Sequence, residues 1–548
     1  MIHFFKLSIF RLPISRLTYA AFISAYIAIL NIVTILKSNA YQPSSLLQYS
    51  LTFYLLFFCL INLFSFQKHL LKIVSITALC CVSIIVFFRI NYKSVITTEV
   101  IEALLTNDIA FMGELFSTKL LGWLALTALL PSFFIIICKF KNWTQWKIIQ
   151  GIILNTISLC AALILLFLTG ILPDQAGAIR PPQRAYFIYS YSPVDIFMAA
   201  HEYLRQKTLT NFTDIGLLHK FKLNPAITNL KVIIVIGETA RADRFSLNGY
   251  PRITNPRLSL RKNLVSFNKM QSCATFTTTS LYFLLDSRSC KPMNKPTKEI
   301  TLTSIFKNLN FKIHIYSLQV VNDVYKYWGY DILKMKYSIF VNSGHEKLTD
   351  ELLVPHLTSA LTQTGNQLII LHTLGSHYKY MDRYTGNLKY FKNPCLKDDI
   401  RSCNKNEIDD VYDNTIVYTD FFLDKIISLL ENQNAILFYV SDHGESLGEH
   451  GLFLHGAPIE QAPPEQLNVP FITWASSKFL KTKTNRRSFN ALIKAKKNAF
   501  LSLTHDHFFH TVLGCSGIQD EGKTISDKLN LCSTKNLEYA PNSIEILK

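Results

Sequence analysis

Five long apolar runs open the chain, near Leu17–Leu36, Leu46–Phe66, Leu70–Phe88, Leu120–Cys138 and Ile148–Leu172. A helix needs about 20 such residues to cross a bilayer, and these runs follow one another with short connections. The pattern predicts a transmembrane domain of five helices over residues 1–173. From residue 229 the rhythm changes to strand, turn and helix. Lys231–Ile236, Lys312–Tyr316, Gln367–Leu371, Ala435–Val440 and Val469–Trp474 are short β-branched or aromatic runs. Their continuous apolarity predicts strands buried on both faces of a mostly parallel sheet. Val411, Thr415, Tyr418, Phe422 and Ile426 recur at spacings of three and four, which predicts a helix within Glu407–Leu430. The expected fold of 229–548 is α/β, a doubly wound sheet with helices on both faces. Residues 174–228 form a bridge. There Arg180-Pro181-Pro182 cannot be helix interior, and Pro193 opens an amphipathic helix over Val194–Gln206, suited equally to a membrane surface or to packing on the next domain.

Charge sharpens this division. Only 17% of the 548 residues are charged, against about 25% in ordinary soluble proteins, which argues against one large soluble enzyme. Lys6, Arg11, Arg16, Lys68, Lys72, Lys139, Lys141 and Lys147 gather in the loops of one side, which the positive-inside rule makes cytoplasmic. Five crossings then place everything after Leu172 outside. Ser38-Asn39-Ala40 resembles a signal cleavage site, but the preceding run exceeds the usual h-region and reads as an uncleaved anchor. The net charge of +18, beside a membrane domain, points to anionic lipid as partner rather than nucleic acid. Cys59, Cys80, Cys81, Cys138 and Cys160 lie in the apolar runs, whereas six cysteines follow residue 210. In an exported domain, sequence order suggests disulfides Cys273–Cys290, Cys395–Cys403 and Cys515–Cys532, one of the many connectivities that six cysteines allow.

Acidic and imidazole residues cluster just after the predicted strands. Glu238 follows KVIIVI, His372 and His377 follow QLIIL, Asp442 and His443 follow AILFYV, and His455 comes shortly after. A doubly wound sheet binds ligands at the carboxyl ends of its strands, so these side chains converge there. An oxygen and nitrogen donor set of this kind suits Zn²⁺, and Mn²⁺ less well. The hydroxyl-rich stretch Cys273–Ser280 offers a nucleophile that a metal would activate, although spacing alone does not choose the hydroxyl. The reading of THDHFFHTVLG is structural: a helix between Thr504 as cap and Gly514, carrying His505, His507 and His510.

IGETARADRFSLNGYPRITNP (236–256), the Cys-x-x-x-Thr of 273–277, LHTLGSH (371–377) and SDHGESLGEHGLFLHGAP (441–458) together resemble the lipopolysaccharide phosphoethanolamine transferases. These are membrane-anchored members of the alkaline phosphatase/sulfatase superfamily. The resemblance implies a bacterial inner-membrane protein with its catalytic domain in the periplasm. It implies Thr277 as the nucleophile that carries phosphoethanolamine, and Glu238, Thr277, Asp442 and His443 as ligands of one Zn²⁺, with a second ion open. By the same resemblance His377 and His455 act on the phosphoryl group or a second metal, Glu445 stands near the donor headgroup, and His372 lies behind the ligands. The donor implied is phosphatidylethanolamine and the acceptor lipopolysaccharide, with the protein acting as a monomer. The Thr-Thr-Ser-Leu after Thr277, the run Pro463–Gln466 and the late cysteine pair favour the branch that modifies the Kdo sugar over lipid A phosphate or another core sugar. A hydrolase of the superfamily, and a binding protein that kept only the fold, are the competing classes. Nothing near Cys273 offers the C/S-x-P-x-R context of a sulfatase, and the intact Glu238, Thr277, Asp442 and His443 argue against a non-catalytic role.

Overall fold

The computed structural model describes residues 13–36, 43–92, 101, 117–168 without 143, a few positions between 196 and 204, and 215–533 without 226, 291–299, 320–348, 398, 499–501 and 523. Two compact units emerge, residues 1–97 with 115–201, and residues 98–114 with 202–548. Ser38–Ala40 and most of the amphipathic helix expected over 194–206 lie outside the described residues.

The first unit is helical: α1 (Arg16–Leu36), α2 (Pro43–Leu63), α3 (Lys68–Tyr92), α4 (Thr118–Ile137) and α5 (Gln145–Leu168). Among the described residues, four of these helices, all but α2, are long and apolar enough to cross a membrane. In α2 the apolar stretch is the shorter Ser50–Leu63, so four candidate spans stand against the five expected. The unit is apolar outside as well as inside. Leu121, Leu126, Ile152, Ile157 and Ile164 are exposed, which water would penalise and hydrocarbon would not. Two of its polar side chains bond to backbone carbonyls of other helices: Asn62 donates to Gly151 O at 3.0 Å, and Lys72 Nζ donates to Ile136 O and Cys138 O at 2.7 Å each, at the end of α4.

The second unit is a seven-stranded sheet between helical layers. In chain order its strands are β1 (Leu230–Gly237), β2 (Leu264–Gln271), β3 (Lys312–Ser317), β4 (Gln367–His372), β5 (Asn434–Ser441), β6 (Asn468–Ala475) and β7 (Leu503–Thr504). Their spatial order is β7-β2-β6-β5-β1-β4-β3. All pairings are parallel except those of β6, which runs against both neighbours. The alternation of β1 explains the two cores. Val232, Ile234 and Ile236 face α6 (Thr277–Leu285), α7 (Leu302–Asn308), α10 (Lys483–Lys497) and α11 (Asp506–Cys515). Ile233 and Val235 face α8 (Val354–Leu361) and α9 (Lys405–Leu430). A β1 buried on both sides accordingly reads as unbroken apolar sequence. The longest helix, α9, starts two residues before the expected boundary because Asn404 and Glu407 form a capping box. Strands β2 and β7 were not legible. Asn268 and Lys269 interrupt β2 at a register shift, and β7 is two residues long.

The late helix also differs from expectation. Thr504 belongs to β7, α11 begins at Asp506, and the His507 ring accepts a hydrogen bond from Thr504 N. Gly514 lies inside α11; the left-handed turn comes at Gly517. Cys273 pairs with Cys290, Cys395 with Cys403 and Cys515 with Cys532.

Candidate active site

Three strand ends and one helix end meet at the carboxyl edge of the sheet. Strand β1 hands Glu238 to this edge, and the turn beyond it is constrained. Thr239 takes φ +52, a region that β-branched residues avoid, and is held there by Tyr412, whose hydroxyl donates to Thr239 O at 2.6 Å. Gly375, after β4, lies against this turn; a Cβ there would stand 2.8 Å from Glu238 N and O, and its φ of +48 suits glycine. Strand β5 delivers Asp442 and His443. Asp442 Oδ1 accepts from Thr239 N at 3.1 Å and His443 N at 2.7 Å. His443 Nδ1 lies 3.0 Å from Gly444 O, so a proton on Nδ1 leaves the Nε2 lone pair directed into the site. Gly444 is required for close approach, since a Cβ would lie 2.1 Å from Glu465 O.

Thr277 is the first residue of α6, and Phe276 provides no side-chain cap. The positive end of the helix is thereby directed at the Thr277 hydroxyl. Thr277 Oγ1 donates to Glu238 Oε2 at 3.0 Å and lies 3.4 Å from His443 Nε2. The remaining oxygens, Glu238 Oε1 and Asp442 Oδ2, are buried without a hydrogen bond. His443 Nε2 stands 3.5 Å from the first and 3.3 Å from the second, and donor atoms of the three residues all fall within 4.8 Å of one another.

Burial sets the electrostatics. Glu238, fully buried beside Asp442, is pushed well above the carboxylate range, first by desolvation and then by the neighbouring charge. Desolvation also pushes Asp442 upward, but the neighbouring His443 and the backbone hydrogen bonds from His443 N and Thr239 N outweigh it and hold Asp442 below its ordinary value. His443 is lowered by burial, and His455 is lowered to about 4 for the same reason. Two carboxylates and a neutral imidazole without a compensating cation are a costly arrangement, and orphaned oxygens in a dry site are what a divalent cation would satisfy. The residues therefore fit zinc: Glu238, Asp442, His443 and the Thr277 hydroxyl would hold it.

A second tier surrounds these groups. The His455 ring centroid is 4.3 Å from that of His443 and 5.8 Å from that of His377, and His455 Nδ1 is 3.4 Å from Glu445 Oε1. His377 and Glu445 are thus brought into the same place as His455. His372 sits behind, its Nδ1 3.1 Å from Ser317 Oγ. His450 is exposed on a left-handed turn outside the group. Two contributors were not foreseen. Gln319 Nε2 donates to Glu238 Oε2 and to Thr373 O, both at 2.7 Å. Its signal was available, since it closely follows β3 at the edge where the other strands deliver their ligands. His505, read only as part of a helix, is buried with Nε2 3.2 Å from Ser441 O, directly behind Asp442. His507 and His510 instead accept backbone N–H groups, from Thr504 and Ser526.

The sulfatase family model matches residues 231–518, and the phosphoethanolamine transferase EptA/EptB model matches residues 52–208. The chain belongs to the sulfatase family. Within it, the chain is a member of the lipopolysaccharide phosphoethanolamine transferases. It is 34% identical over 308 residues to the Kdo(2)-lipid A phosphoethanolamine 7''-transferase of Escherichia coli K12, covering 55% of this chain and 54% of that protein. The chain thus spans about half the length of that relative. Phosphoethanolamine transferase EptA of the same strain is 29% identical over 477 residues, covering 82% and 84%. The integral membrane EptA of Neisseria meningitidis shares the fold across 95% of this chain and 99% of its own, with a TM-score of 0.80 at 24% identity.

Proposed function

We propose that the protein transfers phosphoethanolamine from phosphatidylethanolamine to lipopolysaccharide, through a covalent intermediate on Thr277. The observation that carries this reading is the Thr277 hydroxyl, 3.0 Å from Glu238 Oε2 and 3.4 Å from His443 Nε2, at the start of α6. In the first half-reaction Thr277 Oγ1 attacks phosphorus, its proton passes to a neighbouring base, and the bond to the diacylglycerol oxygen breaks. In the second, an acceptor hydroxyl attacks the same phosphorus and the Thr277 oxygen leaves. A bound zinc ion supplies the charge that favours the alkoxide and steadies the phosphoryl oxygens. The chain's own part is to hold the hydroxyl between Glu238 and His443, direct the α6 dipole at it, and place His377 and His455 for the phosphoryl oxygens and the departing alkoxide. Glu445, buried beside His455, stands near the donor ammonium group.

Some relatives are named for Kdo(2)-lipid A and the EptA relatives name no acceptor, and the site motifs favour Kdo as acceptor. The organisation proposed is five transmembrane helices over 1–173, a bridge over 174–228 and a periplasmic catalytic domain over 229–548, in the inner membrane. Mass spectrometry of lipopolysaccharide from cells with and without the protein tests the reading. One phosphoethanolamine unit should be gained, lost with Thr277→Ala and lost on chelation, and fragment ions should place it on Kdo. Release of free ethanolamine phosphate with unmodified lipopolysaccharide would assign the protein to the hydrolases instead.

A further inference from the structure

Helix α10 carries a charge pattern that the transfer chemistry does not use. No Asp or Glu occurs between Glu465 and Asp506. Within that interval α10 buries Phe489 and Leu492 in the core and exposes Lys483, Arg486, Arg487, Lys494 and Lys497, with two more lysines in the turn before it. None of these five forms an ion pair with an acidic group among the described residues. Soluble surfaces ordinarily intersperse both signs. Here the cations also stand where they cost stability. The first turn of α10 holds no acidic residue, and Lys483, Arg486 and Arg487 sit at the positive end of the helix dipole. Lys483 and Arg487 are like charges four apart, which further weakens the helix. An external anion would relieve both effects.

The far end of the stripe leads to the catalytic edge. There Lys496 turns away from the stripe to the core side of α10, its ammonium 5.9 Å from the Phe267 ring centroid. The register shift between Phe267 and Met270 disturbs β2 at this point. Strand β2 runs on towards Thr277, and Leu503 is two residues from His505 behind Asp442. The row of cations from Lys483 to Lys497 spans about 21 Å at 1.5 Å per residue. That length suits several anionic groups carried on one molecule, and a single phosphate cannot bridge it.

We propose that the basic face of α10 docks the phosphorylated headgroup of the glycolipid acceptor. This rests on the transferase reading and adds where the acceptor is gripped. The full chain carrying Thr277→Ala is reconstituted in phosphatidylcholine nanodiscs, and amide hydrogen exchange over 478–498 is followed. The discs are doped with bis-phosphorylated lipid A or with its dephosphorylated form, or inorganic phosphate is added alone. Protection is expected only with phosphorylated lipid A, and it should vanish at high salt. In a chain with native Thr277, the triple variant Lys483→Gln, Arg486→Gln, Arg487→Gln should raise the acceptor KM about tenfold, with kcat and the donor KM unchanged. Equal exchange with both lipid forms, equal protection by inorganic phosphate, or an unchanged acceptor KM in a variant whose β-strand amides exchange normally would overturn the proposal. If Thr277→Ala still transfers, the covalent mechanism fails while the exchange measurement still judges the docking face.

Discussion

Replacing Gly444 with alanine tests whether the turn after β5 is what places His443. The added methyl would lie 2.1 Å from Glu465 O and 3.1 Å from Glu465 C. An ordinary carbon–oxygen contact lies near 3.2 Å, so about 1 Å of movement is needed. The obstacle is backbone and cannot rotate away. It is also tied to the turn, since Gly444 N donates to Gln466 O and Glu445 N to Glu465 O, both at 2.8 Å. Overpacking of this kind costs about 1–3 kcal/mol, and weakening two buried hydrogen bonds adds about 1 kcal/mol each. A loss of about 3–5 kcal/mol is therefore expected in chemical denaturation of the purified chain. The site should suffer more, because the His443 ring is anchored through Gly444 O. A displacement near 1 Å at a reacting group lowers turnover by about 100-fold, read as diacylglycerol released from phosphatidylethanolamine. Gly386→Ala, where a Cβ meets nothing within 4 Å, serves as control. A Gly444→Ala chain with native stability and native turnover would refute the argument that this contact fixes the ligand.

Three further outcomes are expected. Gln319→Leu removes the amide that donates to Glu238 and Thr373, and should weaken zinc binding about 10–100-fold in competition with a chelating dye, with little change in thermal stability. Asp350, pushed up to about 6 by burial, accepts from Leu374 N and Gly375 N below the site. A raised carboxyl opposes folding when ionised, so the native state should gain about 2–3 kcal/mol as pH falls from 7 through 6 towards 4, and Asp350→Asn should flatten that slope in urea titrations. Cys515 and Cys532 are 17 positions apart, and Cys515→Ala with Cys532→Ala should lower stability by about 3 kcal/mol in chemical denaturation.

Legibility followed the physics of each element. Strands β1, β4 and β5 were readable because burial on both faces leaves no polar position to disguise them. Glu238, Asp442 and His443 were readable because polar residues directly after such strands have few places to go except the ligand edge. Strand β2 was hidden by Asn268 and Lys269, which its irregular pairing places at an open margin. The reversal of β6 had no local signature, because direction is decided by the path of the connection and not by composition. Gln319 and His505 were overlooked for a related reason. Each acts through another residue, and a side chain whose partner is 81 or 64 positions away announces nothing in its own neighbourhood.

That one reversed strand has a wider bearing on how such enzymes diversify. A parallel step from β5 would have sent the chain back across the sheet before the next strand. Because β6 enters where β5 leaves, the whole passage from Asp442 to Asn468 remains on the ligand side, carrying Glu445, His455 and Gln466 as a continuous roof. Lengthening, trimming or rewording this roof leaves the order and pairing of the strands untouched. The centre's surroundings can thus be retuned while Glu238, Asp442, His443 and the framework stay unchanged.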